Sequence, residues 1–447
     1  MSTTVLDPAG DLASGEHPVS GLLAGPESYF GGEQAHARTA AQTAAWSRFQ
    51  SLPAPARSEE AWRFASIKAL DLTGIAAPGP VPGEIAEELI ARSLGLTSTA
   101  GRMVFANDQL LDRRVQSDTL KQAGILWLPL AQAAAEHPEL FRKHFMREQA
   151  QLGSQKFAAL HEAWGREGTF LYIPRGVEID LPIEAFHWLH GDAGSCFPHT
   201  LIIAEENSKV TLVDYFQSAN EESTGFACGV NDLWLGAGAK VTYVNVQRWN
   251  NATRAVQINS TIVGRDAAAV ALTANFGGAY LRSESVSHLR GEGGRSDMLS
   301  LSTVEGTREV DQRTLQVHEV PHTASDLLYK NALFDQARTI FAGLIRVLPG
   351  AHFTDAYQKV RNLLLSDEAE ANSAPGLEIE ADNVRCTHGA TSGQVEEEEL
   401  FYLLSRGIRK DAAQRLIVHG FLNEVLERLP DEPIRDQLRA HLEARLG

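Results

Sequence analysis

Cysteine is scarce: the 447 residues contain three, Cys196, Cys228 and Cys386. So few, in odd number, cannot form a disulfide framework, and unpaired thiols fit a reducing compartment. Long apolar runs are missing as well. The richest, GILWLPLAQAAA around Trp127, is broken by Pro129 and falls short of the roughly 18 residues of a membrane span. The opening MSTTVLDPAGDLASGEHPVSG lacks a basic start and an apolar core, so no signal peptide is expected. A cytoplasmic chain without membrane attachment is the resulting expectation. Positive charge is in deficit, with 40 Lys and Arg against 57 Asp and Glu and a net charge of −17. Nucleic acid is a poor partner for such a chain, because its binding rests on neutralising phosphates, and no Lys/Arg run marks a local exception. Missing too are GxxxxGK[ST], GxGxxG between strand and helix, and GxSxG, so nucleotide sites of those kinds and a serine-hydrolase elbow are not expected.

What is present is ample core material: 43% of residues are hydrophobic and 22% charged. The length suits two or three domains at about 150 residues each. Residues 1–30 are rich in Gly, Pro and Ser without periodicity and read as a mobile tail. Residues 31–165 read as a mixed, largely helical domain. An Ala-rich helix is expected over 33–49, a second helix start at Ser58-Glu59-Glu60 carrying Trp62 and Phe64, and a third helix in EIAEELIARSLG. RMVFAND and AGILWLPL read as short strands, and LAQAAAEHPELFRKHFM as helix.

From Gly168 the texture changes for about two hundred residues. Runs such as TFLYIPRGVEIDLPI, HTLIIAEENSKVTLVDYF and NDLWLGAGAKVTYVNVQ are rich in Val, Ile, Leu, Thr and Tyr, punctuated by Gly, Asn and Asp. That is the pattern of many short strands. The turn-to-strand junctions ending at Val210, Val241, Val270, Asp297, Asp326 and Thr354 recur about every 29 residues. A period of that length suits a solenoid coil whose strands pair with their equivalents one coil on, so residues 166–392 read as a parallel β-helix. Cys196 and Cys228 occupy similar points on successive coils and read as core thiols. Helical signals return over 393–447. Glu396 to Glu399 open a helix, where negative charge opposes the positive end of its dipole, Arg406 falls in its last turn and Gly407 just beyond. Asp411 is placed to cap the next helix, whose apolar stripe includes Phe421, and a last helix runs over 433–445.

Two motifs invite chemistry. His318-Glu319-Val320-Pro321-His322 matches HExxH, but that zinc motif works only on a helix, and Pro321 inside one would cost about 3 kcal/mol. Cys386-Thr387-His388 is different. At strand spacing i and i+2 share a face, so a thiol and an imidazole project together. Both suit zinc, iron or an iron–sulfur cluster. Two ligands do not close a site; either a half-buried Cys sits beside a hydrogen-bonded His, or another subunit completes the set. The acids of the β region leave a carbohydrate-active β-helix open as a separate reading.

The tract from NALFDQARTIFAGLIRVLPGAHFTDAYQ through DNVRCTHGATSGQVEEEELFYLLSRGI resembles the SufB/SufD family of iron–sulfur cluster assembly scaffold subunits. EEAWRF, GTFLYIPRGVEIDLPI and VHEVPHTASD are similar to further segments of that family. Gly389 follows His388 where SufB chains carry Glu, and no Cys precedes Cys196, so the resemblance is to the SufD branch. It implies a right-handed parallel β-helix flanked by N-terminal and C-terminal helical regions, and a scaffold rather than an enzyme. It further implies pairing with a SufB-like subunit through the β-helices and docking of a SufC-like ATPase on the C-terminal helices, with Phe401, Tyr402, Arg406, Gly407 and Phe421 as its contact residues. A homodimer stays open for the isolated chain. The iron–sulfur cluster would be transient and shared with the SufB-like subunit. His388 would be the ligand this chain contributes, with Cys386 beside it, and no cofactor would be held tightly. A purely structural SufD-like subunit, with His388 buried and hydrogen-bonded, is the remaining alternative.

Overall fold

The computed structural model describes residues 40–121 and 124–446; the tail expected over 1–30 lies outside them. The chain opens with helix α1 (Ala40–Ser51), α2 (Gly83–Arg92), strands β1 (Gly101–Ala106), β2 (Gln109–Val115) and β3 (Leu126–Pro129), then α3 (Leu130–Glu136), α4 (Pro138–His144) and α5 (Gln155–Trp164). The helix expected over LAQAAAEHPELFRKHFM is thus two, divided at Pro138, whose ring starts the second. The helix expected from Ser58 does not form. Only a 3-10 turn at Glu60–Trp62 is present, because tertiary contacts claim this segment: Trp62 is buried and the Arg282 guanidinium lies 3.6 Å from the centre of its ring.

Strands follow in close succession: β4 (Gly168–Ile173), β5 (Ile183–Leu189), β6 (Gly194–Cys196), β7 (His199–Ala204), β8 (Lys209–Ser218), β9 (Gly225–Leu235), β10 (Lys240–Arg248) and β11 (Thr253–Val263). They continue with β12 (Ala268–Asn275), β13 (Tyr280–Leu289), β14 (Arg295–Val304), β15 (Glu309–His318), β16 (Ala324–Leu333), β17 (Arg338–Val347), β18 (Asp355–Leu364), β19 (Glu370–Ile379) and β20 (Arg385–Gln394). Successive strands alternate between two sheets. The first has the order β2-β1-β5-β8-β10-β12-β14-β16-β18-β20, the second β19-β17-β15-β13-β11-β9-β7-β4-β3 with β6 beside β9. The chain therefore winds through about eight turns of a parallel β-solenoid, as the strand period leads one to expect.

In the ladder Val210 pairs with Val241, Val241 with Ala269, Ala269 with Ser296, Ser296 with Ser325, Ser325 with Ala356 and Ala356 with Cys386. Two of the expected junctions are corrected by this register. Ala269, not Val270, follows Val241, and Tyr357, not Thr354, stands beside Asp326. Corners of unequal length absorb the differences. Several corners turn on a left-handed residue of the type that tolerates it, among them Asn207, Asp266, Asp335 and Asn383. The one-residue offset between Cys196 and Cys228 also matters: Cys196 pairs with Ala227, so the two thiols lie on opposite faces of their sheet. Both are buried.

The outer faces of the two sheets are covered by different parts of the chain. Residues from the N-terminal region, including Phe49, Trp62, Leu70, Phe157 and Trp164, pack with Phe226, Val256 and Tyr280 on the second sheet. The C-terminal helices α6 (Glu397–Ser405), α7 (Lys410–Leu426) and α8 (Glu432–Leu446) follow β20. Val418, Leu422, Ile434 and Leu438 of α7 and α8 pack on Val244, Leu272, Leu299 and Leu328 of the first sheet. Asp411 lies inside α7 and pairs with Arg409, so it does not cap that helix. Among the described residues no helix is long and apolar enough to cross a membrane.

Candidate functional site

At its start the solenoid is closed by antiparallel strands, β2 on β1 and β3 on β4. At its end β19 and β20 are the last strands of their sheets, and each has one parallel neighbour. Their outward backbone groups face no strand, which leaves a template for pairing with another chain. Side chains on the inner face of these two strands line a mouth. Leu377 and Ile379 of β19 stand over Ile345 and Val347, while Cys386, His388 and Ala390 of β20 stand over Ala356, Gln358 and Val360. Leu377 and Ile379 remain 37% and 41% exposed, although the residues beneath them are fully buried.

The pair singled out in the sequence is brought together here. Cys386 is half-buried against Ile345, Val347, Ala351 and Ala356. Burial and then the Asp355 carboxylate push its thiol above the ordinary value, against the amide of Ala356, which favours the thiolate. A metal at Cys386 would therefore have to displace a proton held more tightly than usual. His388 is exposed on the inner face of the terminal strand, and a neutral imidazole binds a metal without losing a proton. Among the described residues no group of three or more His, Cys, Asp and Glu side chains is placed to hold a metal ion. Cys386 and His388 are two potential ligands on one face of β20.

HExxH is disposed of by geometry. His318 ends β15 and His322 lies in the following corner at φ 58°, stacked on Phe353 with ring centroids 4.8 Å apart. His318 is buried between the hydroxyls of Thr323 (2.7 Å) and Ser325 (2.9 Å). Burial lowers its pKa to about 4, so it stays neutral.

The C-terminal residues divide into two groups. Helix α6 buries none of its residues. Phe401 is 71% exposed and Tyr402 58%, with Leu404 and Leu416 also open to solvent. The Arg406 guanidinium lies 5.1 Å from the Tyr402 ring, and Gly407 takes the left-handed φ of 81° that turns the chain from α6 into α7. Phe421 faces the other way. Its ring is 4.3 Å from the Lys330 ammonium, which donates to the Phe421 carbonyl at 2.7 Å and pairs with Glu424. Arg428 reaches Asp326 at 2.9 Å. Phe421 thus belongs to the anchor that ties α7 to β16.

Sequence reasoning missed a polar column inside the solenoid. Buried Asp214 accepts from Thr200 and Tyr243 at 2.6 Å each. Asn331 donates to Gln312 at 3.1 Å and to Asn362 at 2.9 Å. The alternation of these residues with apolar ones inside strands was the available signal, but alternation does not say which face is the inner one.

Comparison with known proteins agrees with this architecture. The SufBD core domain of the SUF system for FeS cluster assembly matches residues 187–421, and the SufBD protein N-terminal region matches residues 88–185. The iron–sulfur cluster assembly protein SufD of Bacillus subtilis is 31% identical over 332 residues, covering 74% of this chain and 76% of that protein. The SufD of Escherichia coli is 28% identical over 399 residues, covering 88% of this chain and 89% of that one. With its core match spanning both terminal strands, Cys386 and His388 included, the chain belongs to the SufBD family of iron–sulfur cluster assembly proteins, as a SufD-type member.

Proposed function

We propose that this chain is a scaffold subunit, not itself an enzyme, that pairs through its open solenoid end with a SufB-like subunit. A nascent iron–sulfur cluster, the cargo of the system, is built in the mouth between them and leaves again. His388 supplies a neutral ring nitrogen to iron, Cys386 lies beside it as a weaker ligand, and the partner completes the set. No cofactor is held tightly by this chain alone. The observation that carries this reading is the position of His388, exposed on the inner face of a terminal strand that lacks an outer neighbour.

The C-terminal helices serve a second contact. A SufC-like ATPase docks on α6 and the adjoining part of α7, where Phe401, Tyr402 and Leu416 expose apolar surface that water disfavours. Force from nucleotide-driven movement of the ATPase passes through the Lys330–Glu424 and Arg428–Asp326 pairs into β16, which lies two strands from β20.

The test is reconstitution with both partners. His388→Ala is expected to fold and to keep the complex while lowering its iron and sulfide content. An unchanged cluster yield overturns the ligand role and leaves the purely structural reading. Phe401→Asp is expected to release the ATPase without affecting solenoid pairing.

A further inference from the structure

The inner faces of β18 and β20 lie in register, so each inward residue of β18 is the floor beneath one of β20. Gln358 is the floor beneath His388, and Asn362 that beneath Ser392. Parallel neighbours stand about 4.8 Å apart, within reach of a hydrogen bond between side chains on one face. At Asn362 that bond is made: its amide donates to the Ser392 hydroxyl at 3.1 Å and to Ser373 at 3.3 Å, and it accepts from Asn331 below at 2.9 Å. The chain of bonds reaches the mouth.

Gln358 stands differently. It is 2% exposed. Its Nε2 donates across the interior to the Gly343 carbonyl at 3.4 Å, while its Oε1 has no partner. The Thr314 hydroxyl, also buried, is likewise unpartnered. Both atoms border Gly343, where a side chain would not fit: an added Cβ would come within 2.5 Å of the Thr314 hydroxyl and 2.8 Å of Gln358 Oε1. The Phe341 ring closes on the same point, 2.5 Å from that Cβ, so the Gln358 amide can lie against Gly343 only because glycine has no side chain there. A buried amide oxygen with no donor is costly, about 1–3 kcal/mol, and the residue one coil above Gln358 in the ladder, His388, carries an imidazole that can donate.

We infer that Gln358 is a positioning residue for His388: its Oε1 accepts the N–H of one ring nitrogen through one bridging water, and so fixes which nitrogen carries the lone pair toward the mouth. This rests on the reading of His388 as an iron ligand and deepens it. Metal-bound imidazoles commonly donate their second nitrogen to such an acceptor, and its removal lowers metal affinity by about 10–100-fold. A bridge from Oε1 to His388 also explains why an amide, and not an apolar side chain, occupies a position whose strand neighbours Ala356 and Val360 are fully buried and apolar.

The experiment uses the full chain with nitrogen-15-labelled histidine and reads the His388 tautomer from its ring nitrogen shifts, the signal being assigned by its loss in His388→Ala. In the wild type one tautomer is expected to dominate. Gln358→Met, which keeps the length but removes the acceptor, should bring the two tautomers toward equal population. Gln358→Glu, which keeps an acceptor in place, should retain the wild-type tautomer. A wild-type tautomer ratio in Gln358→Met, or loss of the preference in Gln358→Glu, overturns the inference. In the reconstituted complex Gln358→Met should also weaken iron retention by about tenfold. The tautomer measurement does not depend on cluster assembly, so failure of the His388→Ala test for the ligand role remains distinguishable from failure here.

Discussion

The first turns of the solenoid and the last are made of similar strands set in opposite surroundings. Near the start, antiparallel strands close both sheets, and the N-terminal region buries the outer face of the second sheet against Phe226, Val256 and Tyr280. Midway along that sheet, under the same cover, a charge cluster is internal. Arg282 is completely buried, pairs with Glu284 at 2.7 Å and Asp311 at 2.5 Å, and donates to the carbonyls of Ala61 and Leu152. At the end, β19 and β20 carry half-exposed apolar side chains, and their ion pairs, such as Arg346 with Glu378, stand in water. The covered part holds the fold, and the proposed association falls to the open end.

Substitutions at the two ends should therefore differ in kind. The largest effect is expected at the covered part. Arg282→Met leaves the buried Glu284 without its counter-ion and Asp311 with Arg313 alone, and should cost about 3–5 kcal/mol of unfolding free energy, measured by chemical denaturation. A loss as small as that of a surface pair would break the contrast. At the mouth, Leu377→Asp should leave unfolding within about 1 kcal/mol of the wild type yet weaken pairing with the SufB-like subunit about tenfold or more, read by titration of the labelled chain. Strong destabilisation of the isolated chain would show that the mouth is part of its core.

Acid should act on the covered part. His161 donates to the Cys228 carbonyl at 2.7 Å and lies 3.0 Å from His199, which faces Asp232. Burial, and then His199, depress the His161 pKa to about 3, against the hydrogen bond to Cys228 that favours its charged form. A depressed histidine binds fewer protons folded than unfolded. Its contribution is full above the unfolded value near 6.5 and is lost as pH falls toward 3. His161→Gln should therefore flatten the acid side of the stability profile; an unaltered slope would remove His161 from the account. The smallest effect is expected for Arg346→Ala, whose exposed pair should be worth under about 1 kcal/mol and should weaken further with salt.

Much of this was legible beforehand because it depends on local pattern. Strand texture from Gly168, a period near 29 residues and the return of helix after Gln394 follow from residue type and spacing alone. The shared face of Cys386 and His388 follows from the two-residue period of any strand. The segment around Trp62 was misread because its conformation answers to Arg282, more than two hundred residues away. Junctions at Val270 and Thr354 were misplaced because corners differ in length, and a single-residue slip exchanges inner and outer faces. Phe421 was expected, from the resemblance, to contact the ATPase; Lys330 of β16 turns it into an internal anchor.

What the sequence alone determined is the class of structure and the shared face of Cys386 and His388, since periodicity and local spacing are properties of neighbours along the chain. Only the tertiary structure decided which end of the stack stays open, which faces are covered, and that Gln358, with its Oε1 unpartnered, lies beneath His388. Those are properties of residues made neighbours by winding, and small changes in corner length would redistribute them.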